Sequence, residues 1–236
     1  MNLRKKISFL SFILLPITLN YFAPVLIVQG SFERTFTIMH IIYGLMFLIA
    51  ILFGGIWCSY ICPFGALQEL IPDTTRLKRK LPNLKWLTGG IFLALICAPL
   101  IVKGFQETSL FYHMVDTKVS VSSFRDLVRY YMITIPIILI TLVLGKRTWC
   151  RYICPMYIFN YLGIKIGSFL KLPSFKIAYK SEKCTHCKSC TKSCLMGLDV
   201  EEMVKNNKWD MNECIKCGEC INACKNKVLN MEFHNR

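Results

Sequence analysis

The sequence is poor in acidic residues, in histidine and in nucleotide-binding motifs. It has 14 Asp and Glu against 29 Lys and Arg, and 4 His in 236 residues. A haem held between transmembrane helices usually needs two histidine ligands, and of the histidines only His40 lies in a long apolar run. No C-x-x-C-H sequence occurs, so a c-type haem is not expected. No G-x-G-x-x-G or P-loop sequence occurs, which argues against a nucleotide cofactor.

Long apolar runs, in contrast, are abundant. Hydrophobic residues make up 54% of the chain, and the mean hydropathy is +0.43. Four runs carry no charged residue: 7–29, 35–55, 86–102 and 130–145. A transmembrane helix needs about 20 apolar residues, and the two shorter runs have flanking Lys and Arg that can reach the membrane surface. We therefore predict an all-α membrane domain, residues 1–155, with four transmembrane helices.

Basic residues indicate the orientation of this domain. Arg4, Lys5 and Lys6 precede the first run, and Lys146 and Arg147 follow the fourth. Because positive charges collect on the cytoplasmic side, we expect a multi-pass protein of the bacterial cytoplasmic membrane with both termini in the cytoplasm. The net charge of +15 is then explained by topology and contact with anionic lipid, and we predict no nucleic-acid partner.

The composition changes near Pro173. Residues 156–173 are apolar with two lysines, which predicts an interfacial amphipathic helix or linker. Residues 174–236 are rich in Lys, Asn, Cys and Glu. We expect them to form a separate small α+β domain, the tail, on the cytoplasmic side.

The membrane domain contains an internal repeat. The heptapeptide W-C-x-Y-I-C-P occurs at 57–63 and again at 149–155. Each copy follows a predicted span that runs from outside to inside, so the two halves form a parallel repeat around an axis along the membrane normal. This arrangement brings four cysteines to the same membrane face: Cys58, Cys62, Cys150 and Cys154.

Three interpretations of these four cysteines remain open. They are the ligands of a third metal centre, either iron–sulfur or a single ion such as copper or iron. Alternatively, they are redox thiols that cycle through a disulfide. In the third interpretation they are structural, as small apolar side chains near the surface on which the tail docks.

The tail holds eight of the 13 cysteines, in two C-x2-C-x2-C-x3-C runs. This spacing resembles that of bacterial ferredoxins with two 4Fe–4S clusters, in which the fourth cysteine of each run binds the other cluster. The resemblance implies two ligand sets: Cys184, Cys187, Cys190 and Cys224 for cluster 1, and Cys194, Cys214, Cys217 and Cys220 for cluster 2. The chain departs from the pattern in having Leu195 and Lys225, not proline, after each run. Disulfides are disfavoured in a reducing cytoplasm. A zinc ion needs four ligands and could be bound by C-x2-C pairs, so two complete runs of four cysteines argue against zinc.

Taken together, the repeated heptapeptide and the two cysteine runs resemble the NapH-type membrane polyferredoxins, the quinol-oxidising subunits of periplasmic nitrate reductase systems. The same core recurs in NosR-type proteins and in a copper-reducing assembly factor of cytochrome oxidase. The resemblance covers about residues 5–228. It implies an electron-transfer subunit of an oxidoreductase, which exchanges electrons with the quinone pool, or a membrane complex, and with a redox partner protein.

Two alternatives and one candidate residue accompany this expectation. In a copper reductase or assembly factor, the repeated thiols would bind or reduce the metal, and in a redox sensor the clusters would report to a signalling partner. A quinol also needs a proton acceptor, and histidine titrates near neutral pH. His40 is therefore a weak candidate catalytic residue, with a helix-end role as the alternative.

Overall fold

Helices form most of the chain up to residue 169. The computed structural model describes residues 3–71, 82–104, 107–108, 120–121, 123–179, 184–206, 209 and 212–235. The helices of the membrane part are α1 Leu3–Ile13, α2 Leu15–Phe22, α3 Pro24–Phe32, α4 Ile38–Phe53, α5 Ile56–Tyr60, α6 Pro63–Leu70, α7 Lys85–Lys103, α8 Phe124–Leu144, α9 Thr148–Tyr152 and α10 Tyr157–Phe169. Two short strands, β1 Thr35–Phe36 and β2 Glu107–Thr108, pair in parallel.

The first apolar run is broken into pieces. The axes of α2 and α3 differ by 41°. The break falls at Ala23, whose extended backbone (φ −73°, ψ 118°) directly precedes Pro24. A proline disfavours helical geometry in the residue before it and suits the first turn of a new helix. This run is therefore at most a bent span.

Among the residues that the structure describes, two helices are long and apolar enough to cross a membrane, α7 over Lys85–Val102 and α8 over Phe124–Leu144. The bent pair α2–α3 would make a third, whereas α4 has only 16 residues. Large apolar side chains project from α7 and α8 into the surroundings, including Leu87, Met132 and Leu139, each more than half exposed. Such a surface is typical of contact with lipid. The layout with four spans stays a prediction.

Both copies of the repeat have the same local structure. Each follows a glycine with positive φ, Gly54 at 76° and Gly145 at 99°, and begins with a five-residue helix. In the first copy, the Trp57 carbonyl accepts hydrogen bonds from the backbone N–H groups of Ile61 and Cys62, at 3.0 and 3.1 Å.

In the second copy, Trp149 accepts the equivalent bonds from Ile153 and Cys154, both at 3.0 Å. The short helix has ended before the proline in each case. Pro63 in fact begins the next helix, α6, because its missing N–H and fixed φ suit a helix N-terminus.

Helix α10 packs closely on α4. At Gly163 a Cβ atom would lie 2.7 Å from the Cβ of Ala50, so only glycine permits this approach. The face of α10 that points away from α4 exposes Ile166 and Phe169. The helix thus has one packed and one exposed face, and its position at the membrane interface stays a prediction.

The tail is a small α+β unit closed by its first and last elements. Strand β3 (Pro173–Tyr179) pairs antiparallel with β4 (Leu229–Asn235). Between them lie α11 Ser189–Ser193, α12 Val200–Lys205 and α13 Glu219–Asn222. The core is small and consists of a few aliphatic side chains with cysteines among them, such as Val200, Val204 and Cys220.

Candidate metal centres

The tail contains two openings lined by cysteine. The residues that line the outer cavity include Cys184, Cys187, Cys190 and Cys224. Those that line the inner cavity include Cys194, Cys214, Cys217 and Cys220. Each cavity therefore combines three cysteines of one run with the last cysteine of the other. These are the two ligand sets that the resemblance to ferredoxins implied.

Backbone N–H groups beside both cavities donate hydrogen bonds to cysteine sulfur. The last cysteine of each run accepts a hydrogen bond from the backbone N–H four residues later. These bonds join Leu198 to Cys194 and Val228 to Cys224, both at 3.4 Å. Hydrogen bonds to cysteine sulfur stabilise thiolates and adjust cluster potentials. The donor set and the two cavities fit 4Fe–4S clusters.

Burial of the thiols differs between the two cavities. Burial raises the pKa of Cys217, in the inner cavity, to about 11. Cys187, in the outer cavity, is exposed, and its hydrogen bond with Ser189 lowers its pKa. A buried thiol with a raised pKa becomes a thiolate ligand only when bound metal compensates its charge.

The loop that carries three of the inner cysteines contacts the membrane part of the chain. Glu213, which precedes Cys214, accepts hydrogen bonds from the Lys85 ammonium group, at 2.7 Å for Oε2, and from the Tyr157 hydroxyl group, at 3.1 Å. Lys216, between two ligands of the same run, donates to the carbonyl of Phe53 at 2.9 Å. The side chains of Lys85 and Lys216 are each only 2% exposed, so this contact excludes water.

Further contacts belong to this interface. Glu219 pairs with Arg4 at 2.7 Å, and Arg151 donates to the carbonyl of Gly197 at 3.2 Å. A Cβ atom at Gly55 would lie 3.1 Å from the carbonyl oxygen of Cys214, so the tail loop lies directly against the turn before α5. The residues that make these contacts therefore come from the loops that carry the inner cysteines.

The four cysteines of the repeat lie near one another. They are partly buried. Burial, and then the neighbouring Cys150 thiol, raises the pKa of Cys62. Burial also raises the pKa of Cys58, and both Cys62 and Cys150 add to this rise. The electrostatic influence of one half on the other is consistent with convergence of the two copies.

Two side-chain amides cross between the halves of the repeat. Gln68 Nε2 donates to Cys150 Sγ, and Asn160 Nδ2 donates to Cys58 Sγ, both at 3.2 Å. Each amide stands six residues after the second cysteine of its own copy and contacts the first cysteine of the other copy. The sequence analysis missed this pair. Its signal was an amide residue at the same position after each C-P.

Both amides are enclosed, with Gln68 0% and Asn160 3% exposed. Their carbonyl oxygens have no hydrogen-bond partner in the described part of the chain. Leaving a buried oxygen unpaired costs about 1–3 kcal/mol. The N–H groups of both amides are directed at sulfur, as suits thiolate ligands.

A buried ionic network joins the repeat to the inner cavity. Arg147, 1% exposed, donates to the carbonyl of Cys58 at 2.6 Å and forms an ion pair with Glu69. Glu69 also pairs with Arg4 at 2.9 Å, and Arg4 continues to Glu219 beside the inner cysteines. The positive charges lie where thiolate-bound clusters would concentrate negative charge.

A single-ion site is less consistent with the geometry. Within the described ranges, no three His, Cys, Asp or Glu side chains converge closely enough to hold one metal ion. A tetrahedral ion with 2.3 Å bonds to sulfur needs sulfur atoms about 3.8 Å apart. A 4Fe–4S cluster spreads its cysteines over different iron atoms and requires a wider opening.

His40 acts as a helix cap in this structure. Its Nδ1 accepts a hydrogen bond from the Thr37 backbone N–H at 3.2 Å and contacts the Thr37 hydroxyl group. Its Nε2 lies 3.1 Å from the Ser31 hydroxyl oxygen. Both ring nitrogens are engaged at the start of α4, as the helix-end alternative expects.

Family profiles match both parts of the chain. A profile described as "4Fe-4S binding domain" matches residues 35–82 and again 129–173, which contain the two C-x3-C-P sequences. A profile described as "4Fe-4S dicluster domain" matches residues 176–225, which contain all eight tail cysteines. The chain therefore carries ferredoxin-type 4Fe–4S domains. No solved structure matches it.

Several curated proteins are distantly similar to the chain. It is 27% identical over 186 residues to the uncharacterized protein MJ0749 of Methanocaldococcus jannaschii, covering 77% of this chain and 65% of that protein. It is 27% identical over 190 residues to the putative electron transport protein YccM of Escherichia coli, covering 75% and 50%. It is 24% identical over 198 residues to the regulatory protein NosR of Stutzerimonas stutzeri, covering 77% and 24%.

These matches confirm the expected relationship to NosR, and the chain is an iron–sulfur protein distantly related to YccM and NosR. The match spans about half of YccM and less of NosR. The narrower assignment to the NapH type, and a quinol as the donor, stay proposals.

Proposed function

We propose that this chain transfers single electrons between the bacterial cytoplasmic membrane and a redox partner protein through 4Fe–4S clusters. Cluster 1 would be held in the outer cavity and cluster 2 in the inner cavity, by the cysteines that line each one. The observation that most supports this proposal is a contact between the loop that carries Cys214 and the turn at Gly55, three residues before Cys58. It supports a route from the repeat through the inner cavity to the outer one.

We further propose that Cys58, Cys62, Cys150 and Cys154 hold a third iron–sulfur centre between the two halves of a four-span parallel repeat. The crossed amides of Gln68 and Asn160 support this, because each binds the sulfur of the other half. A match of the 4Fe–4S binding profile to each half is also in its favour.

The clusters would supply reversible one-electron chemistry. The chain would supply the charges and the packing that surround them. Arg147 and Arg4 place positive charge beside the repeat and the inner cavity, which favours retention of thiolate-bound clusters. Tight packing of the tail loop excludes water from the interface. A membrane quinol, or a membrane complex, is the proposed donor or acceptor at the membrane end, as the resemblance to NapH-type proteins implies.

The iron content tests both proposals. The full chain, purified without oxygen, is compared with a variant in which Cys58, Cys62, Cys150 and Cys154 are all changed to Ser. We expect about twelve irons per native chain and about eight in the variant, at four per cluster. Cys97→Ser, a change in α7 outside the repeat, serves as the control and keeps the native count.

Each outcome is decisive. About eight irons in both proteins would overturn the third centre and leave the two tail clusters in place. Fewer than about four irons in the native chain, with acid-labile sulfide equally low, would overturn the electron-transfer function itself.

A further inference from the structure

We propose that an acidic, soluble one-electron carrier protein docks over the outer cavity on three lysines: Lys188, Lys225 and Lys227, here called the lysine rim. The inference rests on the proposed function, since it takes the outer cavity as the site of cluster 1. It adds the place and the chemical character of the soluble partner.

Cysteine is more exposed at the outer cavity than at the inner one, where Cys214 and Cys220 are buried. Cys187 is exposed, and Lys188 and Lys225 line the opening. The inner loops, by comparison, are covered through the contacts of Glu213, Lys216 and Glu219 with the membrane part. A soluble protein can therefore reach the outer cavity but not the covered face of the inner one.

The lysine rim distinguishes the outer cavity from the inner one when equivalent positions of the two cysteine runs are compared. Lys188 follows the second cysteine of its run, where the other run has Gly218. Lys225 and Lys227 follow the last cysteine of their run, where the other run has Leu195 and Gly197. Lysine thus occurs at three positions around the outer cavity and at none of the equivalent positions around the inner cavity. Binding of a cluster by four cysteines does not require lysine at these positions, because the inner cavity has the same ligands without it.

The charges of the lysine rim are available to a partner. All three side chains are exposed. No ion pair involves them within the described part of the chain.

The acidic groups nearby are engaged or lie to one side. Glu201 lines the opening, and its carboxylate pairs with His186 at 2.7 Å. Asp199 caps α12 by accepting a hydrogen bond from the Glu202 backbone N–H. Glu202 is exposed on α12, outside the lining of the opening.

A cluster of exposed positive charge attracts an acidic protein over a distance and orients it before contact. Lys188 and Lys225 line the opening, and Lys227 lies between Asn226 and Val228, which line it too. Such a partner would therefore be held with its redox group close to the exposed Cys187. One electron then passes between cluster 1 and the carrier: one is oxidised and the other reduced by one electron, with no bond formed or broken and no proton transferred.

Binding of an acidic 2Fe–2S ferredoxin to the full chain in lipid nanodiscs tests the proposal. The native chain is compared with a variant that carries Lys188→Glu, Lys225→Glu and Lys227→Glu. We expect the dissociation constant to rise by about tenfold or more at low salt, and high salt to weaken native binding towards that of the variant. Iron content and cluster absorbance are measured on the same samples.

Single changes provide the matched control. Lys225→Glu is compared with Lys171→Glu, which alters an exposed lysine in the turn between α10 and β3. We expect the first to weaken binding by about threefold or more and the second to leave it nearly unchanged.

Native affinity in the triple variant, or tighter native binding to a basic c-type cytochrome than to the acidic ferredoxin, would overturn the docking proposal. The proposed function would survive that result if the clusters were intact and accepted electrons. A native chain without clusters would overturn the function instead.

Discussion

The two cavities of the tail have the same cysteine spacing and opposite surroundings. The loops that carry the inner cysteines are held against the membrane part by ion pairs, such as that of Glu213 with Lys85, whose side chain is 2% exposed. The outer cavity opens to solvent beside Cys187 and has lysine at its edge. Equal ligand spacing thus occurs with unequal surroundings. In the proposed route, the packing on each loop would decide whether a cluster exchanges electrons with the membrane or with a soluble protein.

The surroundings also affect cluster chemistry. Potentials depend on hydrogen bonds to sulfur, on nearby charge and on solvent exposure. The two cavities share a similar backbone bond to their last cysteine, at 3.4 Å in each. Differences in potential between the clusters would therefore come mainly from exposure and from Arg4, which lies beside the inner cavity.

The largest expected effect comes from removing one cluster at a time. We expect Cys217→Ser to lower quinol-driven reduction of cluster 1 by about tenfold or more, because the route through the inner cavity is lost. Cys187→Ser should leave reduction of cluster 2 within about twofold. Electron paramagnetic resonance after addition of a quinol analogue measures both.

Dithionite reduction of the same samples is the control, since it shows that the remaining cluster is present and reducible. Equal losses in both variants, with the remaining cluster intact in each, would remove the distinction between an inner and an outer role.

The next comparison concerns stability and uses two glutamates near the cysteines of the two cavities. Glu213→Gln leaves the enclosed Lys85 without its ion pair, and loss of one partner of a buried pair costs about 3–5 kcal/mol. Glu201→Gln removes the pair with His186, which is 54% exposed, and should cost less than about 1 kcal/mol. Limited proteolysis at the junction before β3 measures the opening of the interface.

We expect cleavage of the Glu213 variant to be faster by about tenfold or more, and cleavage of the Glu201 variant to stay near the native rate. Similar rates for the two variants would show that the inner loops are not held more firmly than the outer ones.

The smallest effect is expected at the start of α4, where neither cavity is involved. His40→Ala removes a helix cap, at a cost of about 1 kcal/mol, and should leave the rate of quinol oxidation within about twofold. Thr37→Ala disturbs the same cap without removing the imidazole ring. Thermal unfolding and quinol oxidation are measured on both variants. A rate that falls by about tenfold in the His40 variant alone would assign that ring a role in proton transfer.

Much of the local chemistry could be predicted from the sequence. The spacing of the tail cysteines predicted two ligand sets, and each set lines one cavity of the structure. The repeated heptapeptide predicted two equivalent copies, and both have the same hydrogen bonds at Trp57 and Trp149. The apolar runs predicted membrane helices, but the first run is bent at Ala23 and α4 is short.

The sequence by itself determined what depends on short spacing: the cysteine runs, the repeat and the apolar character of α7 and α8. Only the tertiary structure decided which cavity faces the membrane part and that Gln68 and Asn160 cross to the opposite sulfur. The physical reason is that these contacts join residues far apart in the chain, such as Lys85 with Glu213. Local propensity carries no information about such pairs, because they form only when the fold brings distant elements together.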